Sequence, residues 1–398
     1  MFVIERAGLE GSYLSFLLDV PFPNDTRFTA RFVLHAWAVI LDLAQALAKP
    51  LRLPDTLSLH DARKMALVVS KGELIDVLMR SLDVDESTAD ALIEFLKYAP
   101  KKPKEKGHRG IWAAPLVPIP GEDGLALALP ALAVSNPLRR AEAWLERGGL
   151  DDNFSKNARG DRFEADYRAK VVVAIEKNPL LAEAVCAKNE IKKNANFEEQ
   201  IDLLIRLGDL LIVGEVKCWL FPADSFERFT HFRKIKDAAE QAKRKADLLR
   251  SRPDVAAIAL GLPEGEVREL RVVPLVVANQ GFGFSLDADG CRITDAAYLL
   301  TYLGSGTISS SMAMEPRTGR STTATMTFYE REKQASDRFE ALFAKPPVLQ
   351  RFVDRIGWTT IPFPLPGGGT LQFAVPRLDD FAGDERMRAV LMRNALAG

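Results

Sequence analysis

The spacing of apolar positions changes character twice along the chain and marks out three regions. Over residues 1–150 it is helical. In Lys71–Leu82 (KGELIDVLMRSL), Leu74, Ile75, Leu78 and Leu82 form one stripe. A second helix, about Glu86 to Lys97, follows a turn in which Asp85 serves as N-cap. The segments IWAAPLVPI and LALALP, separated by Pro120-Gly121-Glu122-Asp123-Gly124, predict a hairpin. Two helices and a hairpin over residues 71–130 are compatible with a winged-helix module, but a helical subdomain carrying a solvated loop is the preferred reading. Asn136-Pro137 opens a further helix and Gly148-Gly149 closes it. Phe28 to Ala48 is the most apolar stretch, but Arg31, His35 and Asp42 interrupt it, which predicts a buried helix rather than a membrane span.

Between residues 151 and 280 helices and strands alternate. A helix from about Arg162 to Lys177 is stopped by Asn178-Pro179, and a weak strand lies near Glu183 to Ile191. Two strong strands follow, Gln200–Arg206 (QIDLLIR) and Asp209–Leu220 (DLLIVGEVKCWL). A long charged helix spans about Ala223 to Arg250, and strands are expected at Val255–Leu260 and Leu270–Ala278. This αβββαβ order predicts an α/β (α+β) fold, a central mixed sheet flanked by helices. Residues 281–398 read as a small α/β accessory region. Its helices are expected near Tyr329–Phe343 and Val348–Ile356, with a hairpin turning at Pro366-Gly367-Gly368-Gly369.

Composition narrows the function. The 398 residues carry 53 Lys+Arg against 54 Asp+Glu and are 47% hydrophobic, which suits a globular protein and excludes a uniformly basic nucleic-acid coat. Cys186, Cys218 and Cys291 are far apart with no CxxC pair, so neither a zinc knuckle nor a disulfide framework is indicated, and a cytoplasmic setting is expected. The start, MFVIERAGLE, lacks the basic and apolar segments of a signal peptide. Any contact with a polyanion must then come from local patches. One is Lys101–Arg109, with five Lys/Arg against one Glu. The other is the long helix with its lead-in, Ala223–Arg252, with nine Lys/Arg against five Asp/Glu. There Lys236, Lys243, Arg244 and Lys245 are candidates for the phosphate backbone; an ordinary exposed face with pairs such as Glu240–Arg244 explains them as well. Phe226, Phe229, Phe232 and His231 read as core anchors and a cap rather than base-stacking platforms.

The chemistry gathers on the two strong strands. A symmetric turn around Leu207-Gly208 sets Ile205 opposite Leu210, Leu204 opposite Leu211 and Asp202 opposite Val213. Alternation then puts Asp202, Glu215 and Lys217 on one face, with Glu215 the diagonal neighbour of Asp202. Two carboxylates at the ends of apolar strands are costly unless paired or coordinated. Mg²⁺ (or Mn²⁺) suits such oxygen ligands, and an adjacent lysine orients a water or neutralises a phosphate. A strand-end salt bridge is the simpler reading of the same residues.

This constellation resembles the PD-(D/E)XK nuclease superfamily, the restriction-endonuclease-like fold, over about a third of the chain. The matching residues are Asp202 in QIDLLI and Glu215-Val216-Lys217 in LLIVGEVKCW, with Glu164 in GDRFEADY before them and Gln241 in DAAEQAKRKAD after. The resemblance implies that Asp202, Glu215 and the Val216 carbonyl bind Mg²⁺ and that Lys217 acts on the water or scissile phosphate. It also implies that Glu164 supports a second metal or the water, and that Gln241 orients Lys217 or contacts the backbone. Locally, Asp161-x-x-Glu164 is also a capping box, and Gln241 a solvated helix residue. Ile201 precedes Asp202 where the family name has proline. Lys245 stands where branches related to recombination exonucleases have tyrosine, so no branch is assigned. The implied activity is metal-dependent hydrolysis of nucleic acid, most readily DNA, with a homodimer or protein partner left open. The alternative is a non-catalytic nucleic-acid-binding or assembly protein that keeps the fold.

Overall fold

A computed structural model describes residues 8–10, 12–48, 66–99, 110–150, 158–220, 222, 225–314, 321–353, 356–364 and 369–378. The basic run Lys101–Arg109 and most of the expected Pro366–Gly369 turn lie outside these residues. The chain divides into two compact units, residues 1–163 and 164–398.

In the first unit, α1 (Ala30–Leu47) starts at Thr29, whose side chain accepts from the Phe32 N–H. It is long and apolar enough to cross a bilayer, yet Val33, Leu34, Trp37, Ile40 and Leu41 are packed in the unit's core. The predicted helix pair is present as α2 (Lys71–Leu82) and α3 (Glu86–Leu96), the latter capped by Asp85. Ser70 and Glu73 close a capping box on α2. The hairpin is β2 (Leu116–Pro118) and β3 (Gly124–Leu127), and a short β1 (Val68–Ser70) joins it in the order β1-β3-β2. Two helices follow, α4 (Leu129–Val134) and α5 (Pro137–Arg147), the second capped by Asn136 as expected.

The second unit is built on a six-stranded mixed sheet reached through α6 (Ala158–Lys177). β4 (Val185–Cys186), β5 (Leu203–Leu207) and β6 (Leu210–Lys217) are antiparallel neighbours, and β7 (Arg271–Ala278) lies parallel to β6. Parallel pairing demands a crossover. Here it runs through α7 (Ser225–Ser251), α8 (Pro253–Leu260) and α9 (Glu264–Arg268). Val255–Leu260, expected as a strand, is therefore helical. Pro253 sits at the helix start, Gly261 ends it at φ 67°, and a six-residue apolar run carries no period that separates the two states.

The sheet does not stop near residue 280. β8 (Asp287–Ala288) and β9 (Cys291–Asp295) complete the order β4-β5-β6-β7-β9-β8, with β9 parallel to β7. Asp295 then caps α10 (Ala296–Ser305), and β10 (Thr307–Met314) and β11 (Ser321–Thr327) form a hairpin. α11 (Glu332–Ala344) packs Phe339 and Phe343 against Tyr302. α12 (Pro347–Val353) and the hairpin of β12 (Ile356–Pro364) and β13 (Thr370–Leu378) follow. The boundary expected at residue 280 thus falls inside one sheet.

Seven of the eight β6 residues are buried, which is why this stretch reads as a continuous apolar run. α7 covers one face of the sheet. Its Ala238, Ala239 and Ala242 pack with Val276 and Ile293, and Ala246 and Leu249 with Leu204, Leu211 and Val213. The alanines let the helix lie close to the strands.

Candidate active site

The β5–β6 turn is Gly208-Asp209. Gly208 has φ 58°, and a Cβ there would stand 2.5 Å from Ser336 Oγ, so both backbone and space require glycine. This turn is one residue later than expected, which pairs Leu207 with Leu210, Leu204 with Val213 and Leu203 with Gly214. The register therefore slips by two residues. Because side chains alternate with period two, the faces survive the slip. Continued one step past Leu203, the same register sets Asp202 directly opposite Glu215 instead of diagonal to it.

Both carboxylates are buried, Asp202 at 3% exposure and Glu215 at 1%. Their oxygens are provided for. The Val216 N–H donates to Asp202 Oδ2 at 3.1 Å, and Gln200 Nε2 lies 3.4 Å from Oδ1. Arg168 on α6, itself buried, donates from Nε to the Asp202 carbonyl at 2.7 Å and fixes the backbone there. Lys217 pairs with Glu215 Oε1. Lys245 pairs with Glu215 Oε2 and stands 3.4 Å from each oxygen of Asp202. One buried ammonium thus bridges the two carboxylates.

Burial pushes the Asp202 carboxyl up to about 6, and the Glu215 charge adds to the rise against the pull of Lys245 and Lys217. Burial alone would lower Lys217, but the Glu215 charge and hydrogen bond outweigh it, and the net direction is upward. The side chain of Lys217 is 26% exposed, against 2% for Glu215, 4% for Asp202 and 7% for Lys245. Solvent therefore reaches the cluster at Lys217.

Of the expected residues, Asp202, Glu215 and Lys217 come together. Val216 takes part through its N–H. Glu164 is half-buried on α6, and its charge contributes to the upward shift of Lys217. Asp161 lies inside α6 rather than at its cap, because the helix begins three residues earlier, at Ala158. Gln241 is half-buried one turn before Lys245 on the same side of α7 and makes no hydrogen bond among the described residues. Lys236 is exposed. Lys243 lines a hollow of about 540 Å³ in which Arg271 pairs with Glu340 and Arg292 with Asp287. Arg244 pairs with Glu199.

Lys245 is the correction. It does not sit on the solvent face with the other basic residues, because its helical phase aligns it with Ala238, Ala242 and Leu249 against the sheet. A lysine inside an otherwise apolar stripe was the signal available for it. Nothing in the pattern announced Arg168 or Gln200.

Among the described residues no three Asp, Glu, His or Cys side chains converge as a metal cluster. A divalent ion here would rest on two carboxylates with water or substrate oxygens, a set that Mg²⁺ accepts. The donors fit such an ion. The charges fit only when Lys245 withdraws, since two ammonium groups already balance two carboxylates. Compared with models of known protein families, with curated proteins and with solved structures, the chain finds no match.

Proposed function

We propose that this protein is a metal-dependent nuclease of PD-(D/E)XK type that hydrolyses phosphodiester bonds, in DNA by preference. The observation that carries the reading is the convergence of buried Asp202 and Glu215 with half-exposed Lys217 on two neighbouring strands. Asp202 and Glu215 would hold Mg²⁺ or Mn²⁺, which supplies Lewis-acid stabilisation of phosphate charge and a more acidic water. Lys217, the member in contact with solvent, meets the incoming phosphate and neutralises negative charge as it develops. The Val216 N–H and the Arg168 bond hold Asp202 in its rotamer and position. Lys245, together with Lys217, keeps the carboxylate pair charge-balanced until the cation enters.

One observation favours a second reading. With Lys217 and Lys245 both seated, the site is charge-balanced without any metal, as a non-catalytic nucleic-acid-binding protein would keep it.

The experiment is incubation of the whole chain with linear, circular and single-stranded DNA in Mg²⁺, Mn²⁺ or EDTA. Cleavage is expected with metal and lost in EDTA, in Asp202→Ala and in Lys217→Ala. Cleavage that persists in either variant would remove the assigned site. DNA binding without cleavage under every metal condition would select the second reading.

A further inference from the structure

The first three turns of α7 carry a surface that the proposed chemistry does not use. Phe226, Phe229 and Phe232 are 76%, 62% and 46% exposed, contrary to the expectation of core anchors. His231 fills that role, buried between Trp219 and Phe282 with ring centroids 4.8 and 4.9 Å away, and the partly exposed Phe232 leans on Phe282 at 5.1 Å. Trp219 follows Lys217 by two residues, so this packing fixes the start of α7 to the end of β6. Residues three apart on a helix are offset by about 60° and about 4.5 Å, so the phenyl rings form one stripe, roughly 120° wide, on a rigid support. Arg233 and Lys236 fall within the same stripe and Arg228 at its border; all three are exposed and have no carboxylate partner among the described residues.

We infer that this stripe binds single-stranded nucleic acid, with bases stacked on the phenyl rings and phosphates held by the interleaved cations. Two features select that occupant. Successive rings, about 4.5 Å apart along the axis and turned by about 60°, stand well beyond the 3.4 Å rise of stacked bases, so each takes an unstacked, splayed base that a single strand can offer. Arg228, Arg233 and Lys236, exposed between aromatic rings without carboxylate partners among the described residues, match a ligand with flat apolar faces and a negative backbone. A duplex hides its base faces and cannot use the rings. The stripe points away from the sheet-facing side of α7 that carries Lys245, so it acts as a holding surface separate from the carboxylate pair. The inference goes beyond the nuclease reading, from which it borrows only the class of polyanion.

The test is fluorescence anisotropy of labelled single-stranded dT12 and of a 12-base-pair duplex, using the whole chain in EDTA so that cleavage does not intervene. Phe229→Ala is expected to weaken single-strand binding about 5- to 100-fold while leaving the duplex nearly unchanged, and Phe229→Trp to preserve it. Arg233→Ala with Lys236→Ala is expected to lower the slope of log affinity against log salt by about 1.4. Unchanged single-strand affinity in a Phe226→Ala, Phe229→Ala double variant would overturn the inference. So would a change of sedimentation in that variant with no change in dT12 binding, which would make the stripe a protein-docking face. Phenyl-dependent binding in a protein that never cleaves would sink the nuclease reading alone. Metal-dependent cleavage with phenyl-independent binding would sink this one alone.

Discussion

Replacing Lys245 with Met keeps most of the side-chain stem and removes the ammonium that bridges Asp202 and Glu215. At 3.4 Å and an effective dielectric of about 20, the attraction of the ammonium to the single charge of Asp202 is on the order of 5 kcal/mol before the cost of desolvating the ammonium is subtracted. Breaking a buried pair by deleting one partner has a net cost of about 3–5 kcal/mol, because the remaining charge stays buried. For a unit of this size, each kcal/mol lowers the melting temperature by roughly 2–4 °C. Lys245→Met is therefore expected to melt about 6–20 °C below wild type in EDTA. The same change vacates the space between two convergent carboxylates. Mn²⁺ should then raise the variant's melting temperature more than that of wild type, where the ion must displace an ammonium; at 100 times its dissociation constant the gain is about 2.7 kcal/mol. Thermal unfolding followed by circular dichroism across a Mn²⁺ titration reads both effects. A variant that melts with wild type in EDTA, or a wild type stabilised by Mn²⁺ as strongly as the variant, would refute the reasoning.

Three other expectations follow from the same geometry. Asp202 titrates near 6 when folded, against 3.8 for the free side chain, so the folded state holds the proton more tightly and stability falls as pH rises from about 4 to 6. Asp202→Asn should flatten that segment of a stability–pH curve, and in wild type Mn²⁺ affinity should drop about tenfold per unit below pH 6, measured by calorimetry. His231 is buried with Nε2 lacking a hydrogen-bond partner among the described residues, and burial lowers it to about 4. Its contribution to stability is lost as pH falls from about 6.5 towards 4, and His231→Phe should abolish that acid-side loss in urea titrations. Gly208→Val places a β-branched residue at φ 58° against Ser336, and should lower stability by about 1–3 kcal/mol; a fully stable variant would mean the turn is not the one described.

The sequence carried the faces of β5 and β6 better than their pairing. Alternation fixes which side Asp202, Glu215 and Lys217 share, whereas register depends on which residues of Arg206–Asp209 make the turn, and more than one closure looks acceptable until Gly208 meets Ser336. The long charged helix was plain from its length. The stretch Val255–Leu260 was not, because alanine, valine and isoleucine in a six-residue run satisfy a buried strand and a buried helix alike. β8 and β9 were hidden by their shortness, at two and five residues. Lys245 and the phenyl residues illustrate one shared failure. Lysine was assumed to be outside and phenylalanine inside, and on α7 the helical phase reverses both. Charge type predicted location less well than position within the 3.6-residue period.

Glu332 on α11 accepts from the Gly208 N–H at 3.1 Å and lies 3.2 Å from Arg206, clasping the tip of the hairpin whose far end presents Asp202 and Glu215. The carboxylate-bearing hairpin is therefore keyed by a helix more than fifty residues downstream of the last strand that sequence patterning would assign to this sheet. A fragment ending at residue 280 would lose that clasp, and β7 would keep β6 but lose β9 and become a bare, apolar border open to intermolecular pairing. Trimming the chain to its recognisable motif would yield aggregate instead of a minimal folded unit, whereas truncation beyond Ala344 spares the keystone.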